Sequence, residues 1–567
     1  MMGSPNWRHG WAGQAKASGE CIVSHWSAVT KLTASATVVI FLLAGAAGQA
    51  QHAAPASIHP IYESRSALVP QNHVDELLFA RWKQLGVEAA NLSSDAVFVR
   101  RAYLDVIGTL PTQEEARAFL ADTNPQKRSL LIDSLLEREE FADYWAMRWS
   151  DALRVKAEFP VNLWPNAAQS YHHWIRESLH EDKPYDEFAR ELLTSSGSNF
   201  LVPPVNFYRA VESRDPQTIA QTVALTFMGA KAEKWPPEKL AQMSLFFSHV
   251  GYKGTREWKE EIVFFDPEGN SGGVKRTPAQ VAAASLPRSA VLPDGKSVEL
   301  EADADPRKVF ADWLTAPENP WFSKAIVNRV WFWVMGQGLT QDPDDTGSNA
   351  SPENAELMNY LAQELVRSHY NLKHLYRLIL TSEVYQLSSL PRGDAAQSRS
   401  HGASYLPRRL DAEVLIDAIC QVTGTSEQYS SAIPEPYTYM PEGQRAISLP
   451  DGSISSAFLE EFGKPARDTG TVTERNNTPT DAQRLHMLNS SHIQKKIQQG
   501  PALQDLVRTA RNNDELVSSL YLTILSRYPS AEERGLAMKR LQNGPRRDAI
   551  TDLAWALVNS TEFLYRH

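Results

Sequence analysis

WFSKAIVNRVWFWVMGQGLTQDPDDTG, residues 321–347, is the stretch from which the rest of the chain is read. Phe322, Ile326, Val327, Val330, Trp331 and Val334 recur at three- and four-residue steps, the spacing of one helical face. Phe332 and Trp333 add apolar surface around the remaining circumference, so this helix is predicted to be covered on several sides. Each large apolar side chain gains about 1.5–3 kcal/mol on full burial, and together they draw Asn328 and Arg329 inward. A guanidinium in an apolar interior is too costly without a carboxylate or several acceptors. The nearest acids downstream, Asp342, Asp344 and Asp345, follow the Gly336-Gln337-Gly338 stop in a loop marked by Pro343 and Gly347. The expectation is a helix, a glycine stop and an acidic loop that folds back toward Arg329. Two readings of Arg329, Asp342, Asp344 and Asp345 stand side by side: an ion pair that pins a loop, or a site for an anion, a metal or a sugar.

At 567 residues the chain has room for two or three domains, and 42% hydrophobic with 22% charged residues is ordinary for a globular protein. The net charge of −10, with no long basic run, argues against a nucleic-acid partner and gives no attraction to anionic lipid. Fifteen tryptophans suit a sugar- or partner-holding surface, and buried helix packing accounts for them as well. Lys31, the apolar run Val38 to Ala47 and the small residues ending Gly48-Gln49-Ala50 have the order of a secretory signal peptide. The apolar run falls short of the roughly 20 residues of a spanning helix, so export with cleavage near Ala50 is expected. No later stretch is apolar enough to span. Cys21 lies in that leader, which leaves Cys420 alone: no internal disulfide, no cysteine zinc site and no covalently attached haem are expected.

The chain then reads as residues 51–72, an Ala/Pro/Ser/His-rich tether; 73–255, a helical domain; 256–305, a small β-containing insert; and 306–567, a second helical domain. The fold class is mainly α and multi-helical, two helical halves sharing a repeated helix-turn-helix unit. FVRRAYLDVIGTLPTQEEARAFL (98–120) aligns without a gap with LVSSLYLTILSRYPSAEERGLAM (516–538). Tyr103 falls on Tyr521 and Pro111 on Pro529. Thr112 with Glu115, and Ser530 with Glu533, give the same capping box. Each copy leads to a Glu-Phe pair, Glu140-Phe141 and Glu562-Phe563. EEIVFFDPEG (260–269) reads as a strand into a turn, and SAVLPDGKSVEL (289–300) as a hairpin about Asp294-Gly295. Asp305-Pro306 and Ser351-Pro352 are helix starts, and 424–480, rich in Pro, Gly, Ser and Thr, reads as a long ordered loop or a surface excursion.

There is no H-E-x-x-H, P-loop or C-x-x-C, which removes the common zinc proteases and nucleotide enzymes. Beyond Arg329 and its acids, Arg101 and Asp105 are four apart and expected to pair on the surface. Arg408, Arg409, Asp411 and Glu413 read as a charge network at a helix start. His172, His173 and His180 share no helical face, so no metal is expected there. A glycosidase needs two carboxylates across a cleft; Asp151 with Asp345 is one conceivable pair, and nothing in the sequence brings them together.

RRAYLDVIGTLPT, FADYWAMRWSDALR, AIVNRVWFWVMGQGLTQDPDD, HYNLKHLYRLILTSEVYQ, RRLDAEVLIDAI and DLAWALVNSTEFLYRH carry a resemblance. The first half resembles domain-of-unknown-function family 1549 and the second family 1553, both associated with planctomycete-type cytochrome proteins. Many members of such families carry a haem-attachment C-x-x-C-H after a Phe-Leu/Met-Gly segment. Here Thr226-Phe227-Met228-Gly229-Ala230 runs into Lys231-Ala232-Glu233-Lys234-Trp235 instead. A C-x-C that precedes Glu-Arg in relatives is replaced by Thr471 and Thr473 before Glu474-Arg475. Haem electron transfer is therefore not carried over, and no cofactor is expected. The resemblance implies a role outside the cytoplasm in glycan use, since relatives are encoded near sulfatase-like and polysaccharide-degrading genes. The leading expectation is an exported accessory scaffold that binds a polysaccharide or an exported partner protein. A polysaccharide hydrolase with its site at Arg329 and Asp342–Asp345 is the alternative, and a redox protein that lost its haem motif the third.

Overall fold

The computed structural model describes residues 58–268, 287–301, 303–346 and 354–567. The expected signal peptide and the Ser351-Pro352 helix start lie outside them. The anchoring stretch forms the helix Phe322–Met335 with all but Lys324 and Phe332 buried. Its stop is Gly336, at φ 81°, where a Cβ would stand 2.4 Å from Arg408 Cδ; a side chain is excluded there by both backbone and space. Trp145 and Trp149 of the helix Glu139–Ala152 pack on Trp333, each at 5.6 Å, and Tyr185 stacks on Phe322 at 4.7 Å. Aromatic side chains of the first half thus share one core with the anchor helix of the second, and residues 56–567 cluster as one compact unit. Much of the tryptophan content is spent in this core.

The repeat is real in space. Helices Asp95–Val106 and Gln113–Ala121 are joined through a complete Thr112/Glu115 capping box, and Asn513–Leu525 and Ala531–Gln542 through Ser530/Glu533. Each copy encloses one guanidinium between its capping-box glutamate and its Glu-Phe glutamate. Arg138 reaches Glu115 and Glu140 (2.8 and 2.6 Å) beside Tyr103; Arg527 reaches Glu533 and Glu562 (2.7 and 2.6 Å) beside Tyr521. The arginine enters from different places in the two chain segments, so the charge and not the sequence position is repeated.

The two copies are tied together by buried arginines. Arg100 donates to the carbonyls of Ile524 (2.8 Å) and Phe563 (2.9 Å). Arg101 donates to Tyr385, Leu387 and His567 carbonyls and stacks over Tyr405 at 3.7 Å. The expected surface pairing of Arg101 with Asp105 is corrected here: both are buried, because Val97, Phe98, Val99, Ala102, Leu104 and Val106 pull every face of that helix inward.

Strands Val250–Gly254 and Glu261–Phe265 pair antiparallel, with Gly197–Ser198 on the other edge of Glu261–Phe265. The β region thus begins before residue 256. The Asp294-Gly295 hairpin forms, Ser289–Val291 against Ser297–Glu299. Asp305 caps Pro306–Leu314. From His59 on, the stretch before the first helix is hydrogen-bonded to the body: Glu63 bridges to Ser93, and Ser94 Oγ donates to Ile61. Among the described residues no helix is long and apolar enough to cross a membrane.

Candidate functional site

The acidic loop does fold back onto the anchor helix. Asn328 organises it, accepting from the amides of Leu339 (2.8 Å) and Thr340 (3.2 Å) and donating to Thr340 Oγ1 and Pro343 O. Arg329 donates to the carbonyls of Thr226 (2.8 Å) and Leu225 (3.2 Å), which belong to the π turn Ala224–Met228, leaves its Nε without a partner, and lies 3.7 Å from Asp344. Asp344 accepts from Val472 N (2.9 Å). Asp342 pairs with Lys231 at 2.5 Å, and Asp345 with Lys234 at 3.6 Å. Burial raises the Asp344 pKa, with Arg329 working against it. Burial also works to raise that of Asp342, but Lys231 and the Asp344 amide outweigh it and the net direction is down. Every carboxylate of the loop thus has a cation of its own. The structure brings Arg329 and Asp344 together and divides Asp342 and Asp345 between two lysines. Among the described residues no group of three or more His, Cys, Asp or Glu side chains could hold a metal.

Two segments singled out by the family resemblance meet at this loop: Lys231 and Lys234 beyond Gly229, and Val472 between Thr471 and Thr473. Thioether attachment of haem needs two cysteines, and Cys420, against Lys496 at 3.4 Å, is the free cysteine among the described residues. Lysine ammoniums paired to aspartates stand beyond Gly229 instead. These residues do not fit a covalently attached haem.

A second charged assembly lies beside the anchor helix, in a cavity of about 580 Å³. Five lining arginines are Arg148, Arg408, Arg409, Arg475 and Arg566; the lining carboxylates are Asp151 and Asp411. The helix Glu139–Ala152 supplies Arg148 and Asp151, and the anchor helix supplies Phe332 and Trp333. A two-residue ladder, Arg408↔Arg566 and Arg409↔Tyr565, sets arginines from distant segments side by side. The 465–479 stretch forms the facing wall.

Asp411 sits where a helix N-cap stands, before Ala412–Thr423, yet it caps nothing. Its carboxylate is taken by Arg148 (2.5 Å), Arg566 (2.8 Å) and Asn477 (2.7 Å). Burial works to raise its pKa, but Arg148, Arg566 and Arg475 outweigh this and hold it well below the usual carboxylate range. Asp151 takes Arg475 (2.7 Å) and Arg467 (2.9 Å), and Glu413 takes Arg475 (2.6 Å). Arg408 donates to Trp333 and Val334 carbonyls, 3.5 Å from Asp105. Even with Asp105 and Glu413 counted from behind, the lining guanidiniums outnumber the carboxylates.

The surplus falls on Arg409. It is 6% exposed and donates to Gln483 Oε1, Phe462 O (2.5 Å) and Asn476 O (3.4 Å). Among the described residues no carboxylate approaches within 4.0 Å of it; its Nε has no partner, as is also true of Arg148, Arg408 and Arg566. Burial lowers its pKa, with Asp411 opposing from farther off. Arg409, like Arg100 and Arg101, is a desolvated cation held by neutral acceptors, and it differs from them in lining the cavity. The helix-start network expected from Arg408, Arg409, Asp411 and Glu413 is therefore one edge of a cavity assembled from the whole chain. Arg148, Arg475 and Arg566 were not legible as its partners.

Residues 73–238 match the family described as protein of unknown function DUF1549, and residues 306–541 that described as protein of unknown function DUF1553. No curated protein and no solved structure matches the chain.

Proposed function

We propose, from the premise that this chain belongs to the paired DUF1549 and DUF1553 families, that it is an exported accessory protein which binds an acidic polysaccharide in the arginine-lined cavity. Arg409 carries the reading: it is a buried guanidinium that lines an open cavity and lacks a carboxylate. A ligand sulfate or carboxylate supplies the missing anion, and the planar fork of arginine suits both groups. Asn476, Asn477, Thr471, Thr473 and Thr478 offer neutral donors and acceptors for sugar hydroxyls, and Trp333 and Tyr565 offer apolar faces. The net charge of −10 repels polyanions in general, so binding has to come from this local excess of positive charge.

The test mixes the chain with sulfated, uronate-bearing and neutral polysaccharides, then follows sedimented protein and new reducing ends. Co-sedimentation with the acidic polymers, without cleavage, is expected. Protein that stays in the supernatant with every polymer, or binds neutral ones equally, overturns the proposal. New reducing ends would favour the hydrolase reading at Arg329, Asp342, Asp344 and Asp345.

A further inference from the structure

The helices Asp481–Asn489 and Ser491–Gln499 are separated by one residue, Ser490, whose hydroxyl accepts the Ile493 N–H and starts the second helix. The bend sets His486 and His492 face to face, His486 Nε2 lying 3.2 Å from His492 Nδ1. The outer nitrogen of each ring is held by a carboxylate: His486 Nδ1 lies 2.6 Å from Glu461, and His492 Nε2 2.8 Å from Glu427. A carboxylate accepts only, so each outer nitrogen carries the hydrogen when the ring is neutral; this tautomer is assigned from the partners. Both inner nitrogens are then left with lone pairs that face one another. That contact is repulsive unless an electrophile sits between them, a shared proton or a metal ion.

The geometry suits a metal ion as well as a shared proton. Two imidazole nitrogens on a tetrahedral zinc ion, each at ~2.0–2.1 Å, are about 3.3 Å apart, close to the separation present. A carboxylate on the far side of each ring is the usual support of a metal-bound histidine, since it fixes the ring and raises its basicity. Phe458 and Phe462, stacked at 4.0 Å, cover one side of the pair with ring contacts of 5.5–5.8 Å. The imidazoles keep 17% and 30% exposure, which leaves an approach for an ion and its water. Besides Glu461 and Glu427, the charged group beside the pair is Lys496, 3.0 Å from Glu427.

We propose that His486 Nε2 and His492 Nδ1 bind a divalent transition-metal ion of the zinc–copper class, with water completing the coordination shell. Imidazole ligands suit these ions. Two protein ligands make the site exchangeable. Phe462 lies between it and Arg409 of the cavity lining, and the site does not depend on the polysaccharide reading.

The experiment titrates Zn²⁺ and Cu²⁺ into the full chain by calorimetry, with His486→Gln and His492→Gln alongside. One saturable equivalent is expected, lost in either variant, with Glu461→Gln weakening it by about tenfold. Affinity falls as the solution is acidified, because protons compete for the inner nitrogens. Electron paramagnetic resonance of the Cu²⁺-loaded wild type is expected to show coupling to two nitrogens, which keeps the proposal testable if a variant fails to fold. No saturable binding, binding that survives both glutamine substitutions, or Cu²⁺ coupled to another number of nitrogens would overturn it.

Discussion

At the Asp342–Asp345 loop each carboxylate has its own cation: Arg329 for Asp344, Lys231 for Asp342 and Lys234 for Asp345. At the cavity, five guanidiniums meet two lining carboxylates, and Arg409 is left with neutral acceptors. The loop joins near neighbours in sequence to the π turn and uses up its charges internally. The cavity gathers residues such as Arg148, Asp411 and Arg566, which lie 263 and 155 positions apart. Clustered charge alone does not mark a ligand site; the cavity differs from the loop in leaving one buried guanidinium without a carboxylate.

The largest effect should come from the cavity's internal anion. Asp411→Asn leaves Arg148 and Arg566 facing each other without their shared carboxylate, a loss of about 3–5 kcal/mol in urea unfolding. Because the lost anion faces a cavity, added sulfate should restore part of that stability. Asp344→Asn should cost clearly less, since burial already disfavours its ionised form and Arg329 keeps two carbonyl acceptors. Sulfate should not rescue it, because Asp344, as buried as Asp411 at 1% exposure, does not line that cavity. Equal rescue of both variants would erase the contrast.

The two aspartates should also differ in the sign of their pH dependence. Asp411 has a folded pKa below its unfolded value, so its contribution is present above about 3.8 and is lost as pH falls through the folded pKa. Asp344 has a folded pKa above its unfolded value, so its contribution is greatest near and below about 3.8 and is lost as pH rises through the folded pKa. Relative to its asparagine variant, wild type should lose stability on acidification in the first case and gain it in the second. Urea midpoints of the four pairings over an acid series measure this, and slopes of the same sign would refute the assignment. The smallest effect is reserved for Lys234, 61% exposed: Lys234→Gln should change stability by no more than ~0.5 kcal/mol.

How much of this was legible follows from sequence distance. Arg329 and its loop could be read because helical periodicity buried the arginine and the next acids along the chain followed the glycine stop. The same argument applied to VFVRRAYLDVI would have buried Arg101 and Asp105; spacing four apart suggested a surface pair, and the apolar residues on either side were the stronger signal. Arg408, Arg409, Asp411 and Glu413 were visible as a cluster, but the ladder with Tyr565–Arg566 and the reach of Arg148 are products of tertiary packing. No local pattern encodes them. The aligned repeat was legible through its capping boxes, whereas the arginine each copy encloses comes from unrelated positions, 138 and 527.

The most direct test of the central claim is calorimetric titration of a sulfated oligosaccharide into wild type, Arg409→Gln and Asp344→Asn. Hydrogen bonds to a charged group contribute about 1.5–3 kcal/mol, so Arg409→Gln should weaken binding by at least about tenfold while Asp344→Asn leaves it unchanged. Binding that is the same in Arg409→Gln as in wild type would contradict the account.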